Sequence, residues 1–166
     1  MESAIFGLIG VVAGALIATG GEYMLTGRRE RREVEAETTA LRSARRLASR
    51  LIDEELQVAD AAVEFCRRYR RWWPTTKRLS MSAWEQGKAI LATHYDYDEW
   101  NTVMIAMIAV TMLERTYQQY LAAGLKDREI PEDVIKELGQ WSGAIGAARQ
   151  VLEADVGRQA ESPSAT

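Results

Sequence analysis

Between Ser3 and Gly21 the chain reads SAIFGLIGVVAGALIATGG, without one charged side chain. A helix of about 19 residues is roughly 28 Å long, close to the hydrocarbon thickness of a bilayer. Tyr23 and Met24 extend the stretch to an interfacial aromatic. A secretory signal would need a basic n-region and a small-residue cleavage site, and here only Glu2 and the amino terminus precede it. A soluble core helix of this length would be expected to carry a polar face. The stretch is therefore expected to be a transmembrane helix.

Its flanks predict its direction. Arg28, Arg29, Arg31 and Arg32 follow it, whereas Glu2 alone precedes it. The positive-inside rule then places the N-terminus outside and the rest of the chain in the cytoplasm of a cell membrane. The same four arginines sit at headgroup level and suit anionic lipid, tempered by Glu30 and Glu33. A single cysteine, Cys66, allows neither an intramolecular disulfide nor a CxxC site, in keeping with a reducing compartment.

The chain of 166 residues has room for one domain and an appendage. A net charge of -3 argues against bulk attraction to nucleic acid, so nucleic acid is not an expected partner. Three prolines and abundant Ala, Leu, Arg and Glu favour helix. No alternating apolar run of strand length occurs, and the fold is expected to be all-α.

From Arg28 no glycine or proline interrupts the chain until Pro74, which predicts one long helix ending near Trp73. Leu41, Ala44, Ala48, Leu51, Val58, Ala62, Phe65, Tyr69 and Trp72 form a stripe at spacings of three and four, interrupted by Glu55. Residues 28–40 read as a charged stalk with a soft point at Thr38 and Thr39. Ser82 with Glu85 has the form of a capping box and starts a short helix to about Thr93. Asp96 with Glu99 offers another, opening a helix from about Tyr97 to Ala123 that stops at Gly124. Its run VMIAMIAVTML, Val103 to Leu113, is too short for a span and predicts a central, buried helix. A last helix runs from Pro131 to about Asp155, with Gly139, Gly143 and Ala147 expected to serve close packing. The expected organisation is an anchor over residues 1–27, a stalk over 28–40, a cytoplasmic bundle of three to four helices over 41–156 and a disordered tail over 157–166.

Chemistry-bearing motifs are sparse. His94 is the one histidine and has Leu91 three residues before it, so the paired Glu-x-x-His motifs of a di-iron bundle are absent. Asp96 and Asp98 begin like a calcium loop, but Trp100 and Asn101 stand where a ligand and a glycine belong. GQWSGAIG has neither the order nor the preceding strand of a nucleophile elbow, and no phosphate-binding glycine motif exists. No catalytic residue, metal or cofactor is expected. An enzyme without a local signature stays as a third reading.

Two features point to association. Gly7, Gly10, Gly14 and Ala18 give the span a small-residue face on which a second helix can approach closely, the mark of a homo-oligomer in lipid. RRYRRWWPTTKR, Arg67 to Arg78, gathers six cations around tryptophans. Cations suit a helix C-terminus, and Trp72 and Trp73 can cover the end of a bundle. The functional alternative is a docking surface made of Arg67, Arg70, Arg71, Trp73, Lys77 and Arg78. If the helix from Arg28 is straight, Arg70 lies roughly 60 Å beyond the membrane surface, out of its reach.

The glycine-rich GLIGVVAGALIATGG, the RRERRE stalk and the Ala/Arg/Leu helix leading to a tryptophan-containing loop resemble uncharacterised small single-span proteins of actinobacteria and their phages. The resemblance covers the first half of the chain best. It implies a style of fold and carries over no functional residue. Three readings follow: a membrane-anchored interaction or scaffold protein without catalysis, a membrane-perturbing or phage holin-like or exclusion protein acting through an oligomerising span, and the enzyme. In the first, the partners are the bilayer, further copies of the chain and an unidentified cytoplasmic protein.

Overall fold

The computed structural model describes the backbone over residues 2–74 and 78–161, and side chains over residues 32–74 and 78–158. Its elements are α1 (Glu2–Tyr69), α2 (Ser82–Ala92), α3 (Tyr97–Ala122) and α4 (Glu132–Glu161), with no strand among the described residues. The chain forms two units, Met1–Arg42 and Ser43–Thr166. In the first, side chains from Arg32 to Arg42 are exposed apart from half-buried Thr38. The Thr38 and Thr39 hydroxyls donate to the carbonyls of Val34 and Glu35 at 2.7 and 2.8 Å, and α1 continues through both.

The second unit is a helical bundle. From α1 it buries Ala48, Ile52, Leu56, Ala59, Val63 and Cys66, again at spacings of three and four. Opposite them pack Val103, Ala106, Val110, Leu113 and Tyr117 of α3, and Leu138, Ile145, Ala148 and Leu152 of α4. This corrects the stripe read from sequence. Ala48 and Ala62 belong to the core, but Leu41, Leu51, Val58 and Tyr69 are 50, 39, 59 and 56 % exposed. Helix α1 carries two overlapping apolar stripes, and the one through Ile52 and Leu56 is the one the bundle covers. The run from Val103 to Leu113 is likewise buried on one face only, since Ile105, Ile108 and Met112 are 47, 49 and 43 % exposed.

Helix α2 sits against α1 at Gly87, where an added methyl would fall 2.9 Å from Ala48 Cβ and 3.2 Å from Ile52 Cδ1. The same buried face carries Trp84, one turn earlier, stacked on Trp100 of α3 at 5.3 Å between ring centroids. The Ser82 capping box does not form: Met81 is the N-cap and offers no side-chain bond. The Asp96–Glu99 box does form, with Glu99 N–H donating to Asp96 at 2.8 Å. Helix α3 gives way to Gly124 at φ +69°, as its sequence predicts.

Helix α1 ends at Tyr69, four residues before Trp73. Arg70 takes φ +53°, a left-handed conformation uncommon outside glycine and asparagine, and its carbonyl accepts the Ile130 N–H at 2.9 Å. That bond ties the end of α1 to the approach to α4. Helix α4 runs past its expected end to Glu161. Gly139 and Gly143 do not serve close packing: a methyl at Gly139 would meet only Arg67 Nε at 4.0 Å and one at Gly143 nothing within 4 Å.

Candidate interaction surface

The segment from Arg67 to Arg78 divides into core, lock and surface. Trp72 and Trp73 are 3 and 4 % exposed, so Trp73 is not a surface residue. Its ring lies 4.1 Å from that of Tyr117, while Trp72 lies 5.0 Å from Tyr120, and the two tryptophans meet edge to face at 5.8 Å. Burial of this much aromatic surface is what closes the end of the bundle, and what is left of Trp73 lines, with Arg78, the groove beside this segment. The Trp73 backbone also hydrogen-bonds Cys66, yet burial dominates and pushes that thiol up to about 11. Cys66 is a buried, unreactive core residue.

Arg70 is the lock. Its guanidinium reaches Glu129 at 2.9 Å and Glu132 at 2.5 Å. The hydrogen bond and the charge of Glu132 hold Arg70 above its usual value, and the same bond and charge hold the Glu132 carboxyl below the usual carboxylate range. Arg67 pairs with Glu64 at 2.5 Å along its own helix. Of the six residues expected to form a docking surface, Arg71 and Arg78 are exposed cations that form no ion pair among the described residues. Lys77 lies outside the described residues, as do the side chains of Gly7, Gly10, Gly14, Ala18, Arg28, Arg29 and Arg31. Arg32 is exposed.

Next to this segment an open groove of about 660 Å³ runs along α1. Leu51, Val58 and Phe65 form its floor, and Pro74, Leu79 and Ala83 form its wall. The wall is held by Glu55, the residue that interrupts the stripe in the sequence. Glu55 accepts the N–H of Ala83 at 3.0 Å and of Trp84 at 3.2 Å, and the Ser80 hydroxyl at 2.7 Å. Its carboxylate thus serves as the cap that Met81 cannot supply, with the negative charge at the positive end of α2. Sequence reasoning placed Glu55 correctly on the stripe but had no means of seeing a cap donated from another helix.

Two buried polar residues are engaged with each other at the other end of α4. Asp155 and Ser49 are fully buried. Asp155 accepts the Ser49 hydroxyl at 2.8 Å and forms a bidentate pair with Arg45, whose guanidinium also lies 5.5 Å from the Tyr95 ring centroid. Burial raises Tyr95 to about 12, against the lowering effect of its bond to Ser49. Arg149 of α4 reaches Asp53 of α1 at 3.0 Å. These contacts fasten α4 to α1.

His94 is exposed, its Nδ1 shared between the Thr93 hydroxyl and the Ile90 carbonyl, both at 2.8 Å. Among the described residues no group of three or more His, Cys, Asp or Glu side chains is placed to hold a metal. Among them, too, no helix is long and apolar enough to cross a membrane. The stretch Ser3–Gly21, which carries the membrane expectation, falls outside the residues whose side chains are described. Comparison with protein-family models, with curated proteins and with solved structures finds no match.

Proposed function

We propose that the protein is a single-pass membrane-anchored interaction protein, its helical bundle cytoplasmic and without catalysis of its own. The observation that carries this reading is the uncharged stretch Ser3–Gly21 with Arg28, Arg29, Arg31 and Arg32 on its C-terminal flank. The bundle supports it in a second way: buried Ser49 and Asp155 and the Arg149–Asp53 pair hold helices together, while a largely apolar groove runs along α1. Such a recess suits another helix better than a polar substrate. Gly7, Gly10, Gly14 and Ala18 would let the anchors of several copies associate.

Fractionation of cells producing the full chain tests the anchor. The protein is expected in the membrane pellet and to stay there through alkaline carbonate, and deletion of residues 3–21 is expected to release it. Recovery of the intact chain in the soluble fraction would rule the reading out.

A further inference from the structure

Helix α3 turns an apolar face outward, apart from the groove along α1. Asp98, Asn101, Ile105, Ile108, Met112 and Arg115 follow one another at alternating spacings of three and four. All but half-buried Asn101 are exposed, while Val103, Ala106, Val110 and Leu113 fill the core on the other side. Such a repeat keeps one seam facing a partner helix over several turns. The middle of the seam is apolar and its ends are opposite in charge, Asp98 in the first turn of α3 and Arg115 toward its C-terminus. Neither charged side chain forms an ion pair among the described residues.

We propose that this seam pairs antiparallel with the same seam of a second copy. Charge supports both the occupant and the direction. With Ile105 layered on Ile108 of the second copy, Asn101 meets Met112 and Asp98 meets Arg115, each twice by symmetry. A parallel pair would set Asp98 on Asp98 and Arg115 on Arg115, a juxtaposition of like charges that opposes association. The neighbouring carboxylates are engaged within the chain, Glu99 with Arg158 at 2.6 Å and Glu114 with the Leu79 N–H at 3.2 Å.

The flanking helices leave the approach open. Helix α2 reaches α3 through Trp84 on Trp100 and Met81 beside Thr111, and α4 reaches it through Arg158 on Glu99. At about 100° per residue, Trp100, Thr111 and Glu99 each project a quarter turn or more from the middle of the seam, so α2 and α4 stand to its sides and not in front of it. The two-fold axis of an antiparallel pair is perpendicular to α3, so copies that share one bilayer would hold α3 along the membrane plane. The pairing goes beyond the anchored reading and does not rest on it.

Disulfide trapping of the full chain in detergent tests the proposal, the native Cys66 being buried. Co-produced Asn101→Cys and Met112→Cys chains are expected to link into a mixed dimer on mild oxidation. Asn101→Cys alone is expected to give about tenfold less, because in the antiparallel pair its two copies lie about 16 Å apart along the helix axis, beyond disulfide reach. Asp98→Arg in both chains, which opposes two cations at each end of the seam, is expected to lower the mixed dimer by about threefold or more. Adding Arg115→Asp to both chains is expected to restore it, with helical circular dichroism unchanged throughout because both side chains are exposed. Absence of the mixed dimer, a yield indifferent to Asp98→Arg or not restored by Arg115→Asp, or preferential linkage through Asn101→Cys alone would overturn the antiparallel second copy. Chains associated only through residues 3–21 would give a yield that ignores both charges, and fractionation decides separately whether those residues anchor the chain.

Discussion

Glu55 Oε1 accepts the backbone N–H of Ala83 at 3.0 Å, so a carboxylate from the longest helix caps the start of the shortest. The bond fixes both the wall of the groove and the seat of Trp84 against Trp100. Loss of an N-cap costs about 1 kcal/mol, and here two amide donors lose their acceptor. Glu55→Ala is expected to destabilise the bundle by about 1–2 kcal/mol in urea unfolding, with a larger change in near-ultraviolet circular dichroism than in helix content. Glu55→Gln, which keeps an acceptor oxygen, is expected to lose less.

The two kinds of glycine separate in opposite directions. Alanine is favoured over glycine inside a helix by about 1 kcal/mol, but crowding a packed core costs about 1–3 kcal/mol. At Gly87 the new methyl would meet Ala48 Cβ at 2.9 Å. Gly87→Ala is therefore expected to lower the unfolding midpoint. Gly143→Ala, with open space around it, is expected to raise it by up to about 1 kcal/mol of stability.

Asp155 is fully buried and its partner Arg45 keeps 19 % of its side-chain surface. Removing one member of a buried pair costs about 3–5 kcal/mol, and Arg45 can turn toward water, so Asp155→Ala is expected near the low end of that range. Asp155→Asn, which still accepts from Ser49, is expected to cost less. Equal losses in chemical denaturation would contradict a role for the Asp155 acceptor oxygens.

Alkali should unfold the bundle through two groups. Burial raises Cys66 from near 9 to about 11 and Tyr95 from near 10 to about 12. Both are neutral acids that hold their protons more tightly when folded, so their contribution is fully present below the unfolded values and is lost as pH rises through the folded ones. Stability is expected to fall between about pH 9 and pH 12. Cys66→Ala is expected to flatten the part of that fall between about pH 9 and 11, whatever its effect at neutral pH.

Local signals were legible in the sequence and tertiary ones were not. The Asp96–Glu99 box and Gly124 act within a few residues of themselves, and α3 begins and ends where they say. The Ser82–Glu85 box has the same form but loses to Glu55, a competitor brought by α1. Periodicity found an apolar face on α1 without showing which of two adjacent faces the bundle covers, because Leu51 and Ile52 satisfy equally good stripes. The cations around Trp72 and Trp73 drew attention to a surface, whereas the rings themselves fill the core and Arg70 locks onto Glu129 and Glu132. Gly139 and Gly143 mimic a packing ladder because spacing alone cannot tell an empty side from a crowded one.

The side on which the bundle lies tests the account most directly. A C-terminal epitope on the full chain, probed by protease in intact spheroplasts and again after lysis, reports it. The anchored reading predicts an epitope that co-sediments with membranes, is protected in intact spheroplasts and is degraded after lysis. An epitope cleaved from the outside, or one recovered intact away from membranes, would contradict it.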